Sequence, residues 1–256
     1  MKVVILAGGQ GTRINEESYL KPKPLIEIGT KPIIWHIMKL YSHYGLNDFI
    51  ICCGYKGHML KEYFNNYALH TTDITVELKK NKIVILKKKT EPWKVTLIDT
   101  GQNTNTGERL KKIEKYIEGD FCLTYGDGLS NVNILDTIKF HKKNKKYATI
   151  LAVKPPARFG ALNIKKNMVR SFFEKPQGDG GRINGGFFVL SKKIFRYLNF
   201  DNPVWEKEPL ENLAKDSQLC AYPHDKFWHA MDSVRDMQVL ENLWLNNKAP
   251  WKVWKT

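Results

Sequence analysis

The chain opens on a short apolar run, Val3 to Leu6, which reads as a buried strand. Gly8, Gly9 and Gly11 follow at once, so the strand passes directly into a glycine-rich turn. Pro32 to Tyr44 has helical periodicity, with proline near its start and Gly45 just past its end. Asp48 to Cys53 then reads as a buried strand and Lys56 to Asn66 as a helix. Asp73 to Leu78 and Ile83 to Lys88 pattern as a hairpin turning near Asn81, followed by a strand over Thr96 to Asp99. A helix over Leu110 to Ile117, with Thr106 as its candidate N-cap, leads to a strand over Asp120 to Tyr125. Helix Asn133 to Asn144, strand Ala148 to Val153, and a hairpin of Ala161 to Ile164 with Met168 to Phe173 come next. The last elements are a strand over Phe187 to Leu190, a helix ending at Lys215, a strand over Leu219 to Tyr222, and an amphipathic helix from Ser233 through Asn246. Strands alternating with helices call for a largely parallel sheet. The expected fold is α/β: a Rossmann-like, mixed but mostly parallel sheet flanked by helices, with small β-hairpin insertions and a C-terminal helix.

Composition narrows the class. The 256 residues suffice for a sizeable core, and no linker, repeat or low-complexity tract divides them, so one domain over 1–256 is expected. No apolar run approaches the length of a membrane span, and the N-terminus lacks the features of a signal peptide. A cytoplasmic protein without a membrane partner is the expectation. The four cysteines fit it: Cys52 and Cys53 are adjacent, Cys122 and Cys220 are isolated, and all read as buried free thiols. The formal net charge of +15 would suit a nucleic-acid surface. The lysines, however, are scattered or sit in runs such as Lys87-Lys88-Lys89, which read as solvated faces, and no nucleic-acid-binding signature accompanies them. The charge is read as modest steering of anionic small molecules, with no nucleic-acid partner.

The candidate chemistry begins in the first turn. Successive backbone N–H groups in a glycine-rich turn form an anion-binding nest, and Arg13 and Lys23, the latter in Lys21-Pro-Lys23-Pro, add fixed positive charge. The stretch is not a Walker A loop and lacks the third glycine of the dinucleotide fingerprint. Thr104-Asn-Thr-Gly107-Glu-Arg109 opens onto a helix N-terminus, which can hold an anion or simply be a capped helix. Asp127, between Gly126 and Gly128 at the end of a buried strand, is a candidate Mg²⁺ ligand, the alternative being a tight turn. Lys175 beside Pro176 is placed to meet a phosphate, the alternative being a surface lysine. Asp232 precedes the last helix and could serve as its N-cap.

Leu-Ala-Gly-Gly-x-Gly-Thr-Arg13 with Lys-Pro-Lys-Pro, and later Glu174-Lys175-Pro and Ile-Asn184-Gly185-Gly, resemble the sugar-1-phosphate nucleotidylyltransferases over essentially the whole chain. Those enzymes join a nucleoside triphosphate to a sugar phosphate and release pyrophosphate. The variants here are most similar to members that use CTP and glucose 1-phosphate. The resemblance implies a nucleotide-binding half up to about residue 130 and a sugar-phosphate half beyond it. The nucleotide would meet Leu6, Ala7, Gly8, Gly9, Gln10, Gly11, Thr12, Arg13, Lys23, Thr104, Gly107, Arg109 and Asp127. The sugar phosphate would meet Tyr125, Gly128, Glu174, Lys175, Asn184, Gly185 and Glu206. Asp127 and Asp232 would hold Mg²⁺, while Arg13, Lys23 and Lys175 would serve the transferring phosphates. Glu108 stands where the family carries a second glycine. A homo-oligomer, a hexamer built from trimers, is also implied. No Ser/His/Asp or Cys/His arrangement accompanies these residues. None is needed, since a phosphate monoester (second pKa about 6) is already an anionic nucleophile near neutral pH.

Overall fold

The computed structural model describes residues 1–11, 20–87, 90–155, 161–165, 168–173 and 181–254. Seven strands make the central sheet: β1 (Val3–Ala7), β2 (Asp48–Cys53), β3 (Lys94–Asp99), β4 (Phe121–Tyr125), β5 (Ala148–Val153), β6 (Ile183–Leu190) and β7 (Leu219–His224). Their spatial order is β7-β5-β6-β4-β1-β2-β3. β1 pairs in parallel with both β2 and β4, so Val3 faces Phe49 on one side and Cys122 on the other. β6 runs antiparallel to β4 and β5, and the remaining pairs are parallel. The sheet is thus mixed and mostly parallel, as the alternation of elements requires.

The helices are α1 (Ile33–His43), α2 (Gly57–Asn65), α3 (Tyr67–Thr71), α4 (Thr106–Lys112), α5 (Ile134–Asn144), α6 (Glu208–Lys215) and α7 (Val234–Leu245). All five residues of β1 are buried, the continuous apolar run expected of a strand covered on both faces. Val3, Ile5 and Ala7 enter a core built with α1, α5, α7 and Trp251. Val4 and Leu6 enter a second core with Leu110 of α4 and Leu210 and Leu213 of α6. Pro32 caps α1 in extended geometry and Gly45 follows it at φ +81°. That positive φ is a conformation glycine adopts without strain.

Several elements differ from expectation. β6 begins at Ile183 rather than Phe187, because the pair Gly185-Gly186 hid a strand that pairing enforces. α4 begins at Thr106, with Asn105 rather than Thr106 at the N-cap position. Leu78 lies in a 3₁₀ turn, Leu78–Lys80, instead of ending the hairpin strand Asp73–Glu77. α3 and the short ribbon of Gly128–Ser130 with Trp228–Ala230 had no periodic signal. Cys52, Cys53 and Cys122 are buried, whereas Cys220 on edge strand β7 is half-buried, and the four are free thiols. Among the described residues no helix is long and apolar enough to cross a membrane.

His36 is fully buried on α1. Its Nε2 lies 2.9 Å from the Ile28 carbonyl and its Nδ1 accepts from Trp251 Nε1 at 3.3 Å. This network assigns the proton to Nε2 and leaves the ring neutral. Burial pulls its pKa down from 6.5 to about 4. The unfolded chain therefore binds a proton below about pH 6.5 that the fold refuses, and stability is lost as pH falls from there towards 4. Urea titrations between pH 7 and 4 should show His36→Gln removing about 1.4 kcal/mol per pH unit of that slope. An unchanged slope would contradict the assignment.

Candidate active site

The strand order reverses between β1 and β4, so the crevice beyond their carboxyl ends is the switch point where open α/β sheets bind ligands. A cavity of about 590 Å³ lies there. Leu6 and Ala7 end β1 in its wall, and Gly8, Gly9, Gln10 and Gly11 continue it. Thr104, in the loop before α4, and Arg109, on α4, line another side. Tyr125, Asp127, Lys23, Glu206 and Asp232 complete the predicted residues that meet around it. Thr12, Arg13, Glu174 and Lys175 lie outside the described residues.

Arg109 accounts for the first glycine. A Cβ on Gly8 would stand 2.3 Å from Arg109 Nη1, and one on Gly54 would stand 2.4 Å from the same atom. The guanidinium threads between two backbones that only glycine leaves open. It is buried, and it donates to the carbonyls of Cys53 (3.2 Å), Gly101 (2.7 Å), Gly8 (2.9 Å) and Gln102 (3.3 Å) and to the Thr100 hydroxyl (2.6 Å). Burial lowers its pKa. The side chain expected to reach the nucleotide is thus already committed: it ties the β1 turn to the loop after β3. Gly107, by contrast, does not line the cavity. Its N–H donates to the Pro203 carbonyl at 3.0 Å, and a Cβ there would meet that oxygen at 2.8 Å.

The two acidic residues meet because of the short ribbon. Gly128 pairs with Ala230, and the Met231 N–H closes onto the Asp127 carbonyl at 2.9 Å, which places Asp127 beside Asp232. The N-cap of α7 is Ser233, whose hydroxyl accepts the Asp236 N–H at 3.2 Å. Asp232 is therefore not the cap, and its carboxylate turns to Lys23. Lys23 Nζ sits 2.6 Å from Asp127 Oδ2 and 2.8 Å from Asp232 Oδ1. Burial works against the ammonium charge, but the field and hydrogen bonds of Asp127 and Asp232 outweigh it and raise the Lys23 pKa. Two carboxylates aimed at one point are a hard-oxygen donor set. Mg²⁺ takes one or two carboxylates and completes its shell from water and phosphate oxygens. Among the described residues no third acidic, histidine or cysteine side chain joins them, so a cation held here would depend on bound phosphates.

Across the cavity Glu206 accepts the Tyr125 hydroxyl at 2.5 Å and the Thr106 hydroxyl at 2.6 Å. Thr106 accepts the Trp205 N–H in turn at 2.9 Å, a role that replaces the expected helix cap. Asn184 Nδ2 donates to the Tyr125 oxygen at 3.3 Å, and its own Oδ1 accepts the Gly186 N–H at 2.8 Å. Burial, then the Glu206 charge, pushes the Tyr125 phenol far above its ordinary pKa, so it remains a donor. Asn184 thus stands behind Tyr125 rather than in the wall. Gly185 packs on Leu151 and Val153, and Gly128 opens the ribbon. A double-mutant cycle of Tyr125→Phe and Glu206→Gln on thermal stability should return a coupling of about 1 kcal/mol. Additive effects would break this chain of bonds. Sequence reasoning missed Pro24, Gln102, Asn103, Asn105, Thr106, Val204 and Gly126 in the wall. The run Gln102 to Thr106, polar throughout, was the available signal for four of them. Val204 carried none.

A glycine-rich turn and a carboxylate turn at the switch point of a doubly covered sheet define a nucleotide-handling α/β protein. Comparison with known proteins makes the class specific: residues 2–228 match the family model described as nucleotidyl transferase, and the chain belongs to that family. The glucose-1-phosphate cytidylyltransferase of Salmonella typhimurium is 54% identical over 257 residues, covering 100% of both chains. A probable glucose-1-phosphate cytidylyltransferase of Bacillus subtilis is 44% identical, over 99% of this chain and 100% of its own. Among solved structures, a putative glucose-1-phosphate thymidylyltransferase from Bacillus anthracis shares the fold at a TM-score of 0.69 and 19% identity, covering 100% of this chain and 98% of the other. HddC from Yersinia pseudotuberculosis superposes at 0.68 with 26% identity, over 95% of this chain and 99% of its own.

Proposed function

We propose that the protein transfers the cytidylyl group of CTP to α-D-glucose 1-phosphate, giving CDP-glucose and pyrophosphate. The observation that carries this reading is full-length identity of 54% to a curated enzyme of that name. The cavity at the β1–β4 switch point supports the same chemistry. In this reading the turn Gly8 to Gly11 receives the triphosphate on its backbone N–H groups. Asp127 and Asp232 would hold Mg²⁺, and Lys23 neutralises the α-phosphate. Arg13 steadies the departing pyrophosphate and Lys175 delivers the sugar phosphate, roles taken from the family resemblance. The bound cation would cancel phosphate charge during the displacement. The sugar phosphate attacks the α-phosphorus in line with the leaving pyrophosphate. Its oxygen forms the new P–O bond as the bond to the β-phosphate oxygen breaks. No base is required, so rate comes from alignment and charge cancellation.

Pyrophosphate release with Mg²⁺ and glucose 1-phosphate, measured in parallel with CTP, UTP, dTTP, GTP and ATP, tests this directly. A clear CTP preference is expected. Preference for another triphosphate would move the protein to a sister specificity, and silence with all five across a panel of hexose phosphates would overturn the reading. The family resemblance also suggests a homo-oligomer, with a hexamer as the expected form, which light scattering of the purified chain would test.

A further inference from the structure

We propose that Lys23 stands in for the divalent cation in the nucleotide-free protein, so that metal is taken up only as nucleotide draws the lysine away. The proposal rests on the reading that Asp127 and Asp232 hold that cation. Their oxygens converge on a single nitrogen, Lys23 Nζ, at 2.6 and 2.8 Å. Two like charges so arranged repel unless a cation lies between them. Lys23 supplies one from within the chain, and its side chain is only 12% exposed. Its backbone is fixed in the turn Lys23–Leu25, between Pro22 and Pro24, with the Leu25 N–H bonded to the Pro22 carbonyl at 2.8 Å. The anchor is rigid while the four-carbon stem is free to swing. The ammonium lies in the same cavity as the glycine turn. A triphosphate seated there offers it a second set of oxygens.

The ammonium and a metal ion cannot occupy one pair of carboxylate oxygens together. In the free protein they compete, and metal affinity is low. Phosphates attract Lys23 and expose Asp127 and Asp232, so nucleotide raises metal affinity. By linkage, metal raises nucleotide affinity by the same factor.

Mn²⁺ binding to the nucleotide-free chain, read from the electron paramagnetic resonance of the unbound ion, measures this without turnover. Lys23→Met keeps the length and apolar stem and removes the charge. It should bind Mn²⁺ more tightly than wild type by a factor on the order of ten, and adding Asp127→Asn to Lys23→Met should abolish the gain. Equal or weaker binding by Lys23→Met, with Asp127 still required, would overturn the stand-in role and leave the metal pair in place. Binding indifferent to Asp127→Asn would instead overturn the assignment of the metal pair. Should Lys23→Met fail to fold, Lys23→Gln with Mg²⁺-dependent thermal melting decides the same point. A larger rise in Tm with Mg²⁺ than in wild type is expected, and an equal or smaller rise overturns the proposal.

Discussion

Asp127→Asn should lower kcat for pyrophosphate release by at least about a thousandfold while leaving the fold intact. Asparagine keeps the volume of the side chain and one oxygen acceptor for Lys23. The backbone tie from Met231 N–H to the residue 127 carbonyl also survives. What disappears is one negative charge at the point where Asp127 and Asp232 converge. Lys23 then pairs with Asp232 alone, and a divalent cation meets one carboxylate instead of two. A loss confined to chemistry should appear as unchanged thermal melting, a collapsed kcat and a raised requirement for Mg²⁺. Near-wild-type turnover would remove Asp127 from the site, and a large fall in Tm alongside the loss in rate would make its role structural. Lys23→Ala should also abolish turnover by a different route, since it leaves the carboxylates in place and removes the ammonium proposed to meet the phosphates.

The sheet was legible because its strands are short apolar runs bounded by glycine or polar turns, and β1 and β4 announced their own ends. The sequence alone therefore places the glycine turn and Gly126-Asp127-Gly128 at strand exits. Their meeting with Asp232 was not legible from periodicity, because it depends on the ribbon of Gly128–Ser130 with Trp228–Ala230. Three-residue strands carry no periodic signal. Family resemblance placed Asp232 in the site, while the residues alone left it tied with an N-cap. The structure gives the cap to Ser233. Arg109 shows the opposite limit. The family resemblance set it against the nucleotide, yet five acceptors from the segments it joins occupy the guanidinium. Only the three-dimensional closeness of Gly8, Gly54 and Gly101 shows this. Glu206 was read as a sugar ligand, and its two hydroxyl partners appear only once β4 and α4 are brought together.

Arg109→Lys should cost about 3 kcal/mol of stability and weaken triphosphate binding, despite retaining the charge. An ammonium has no planar fork and cannot reach both Nη1 and Nη2 positions. The carbonyls of Cys53 and Gly8 keep other donors, the N–H groups of Thr100 and Tyr55. The loss therefore falls mainly on Gly101 and Gln102 and on the tie between the two cavity walls. For a chain of this size the penalty corresponds to a fall in Tm of roughly 6–12 °C. The KM for the nucleoside triphosphate should rise more than kcat falls, because the residue shapes the loop proposed to receive the phosphates and need not touch the reacting atoms. Gly8→Ala is the reciprocal probe. In wild type its methyl collides with the guanidinium at 2.3 Å, so the substitution should be severe. With Arg109 shortened to alanine, the collision is gone and most of the added cost of Gly8→Ala should vanish. Additive penalties in that cycle would mean that Gly8 is required for its backbone or for direct approach of phosphate, and Arg109 would then be a neighbour of the phosphate loop rather than the clamp that holds it.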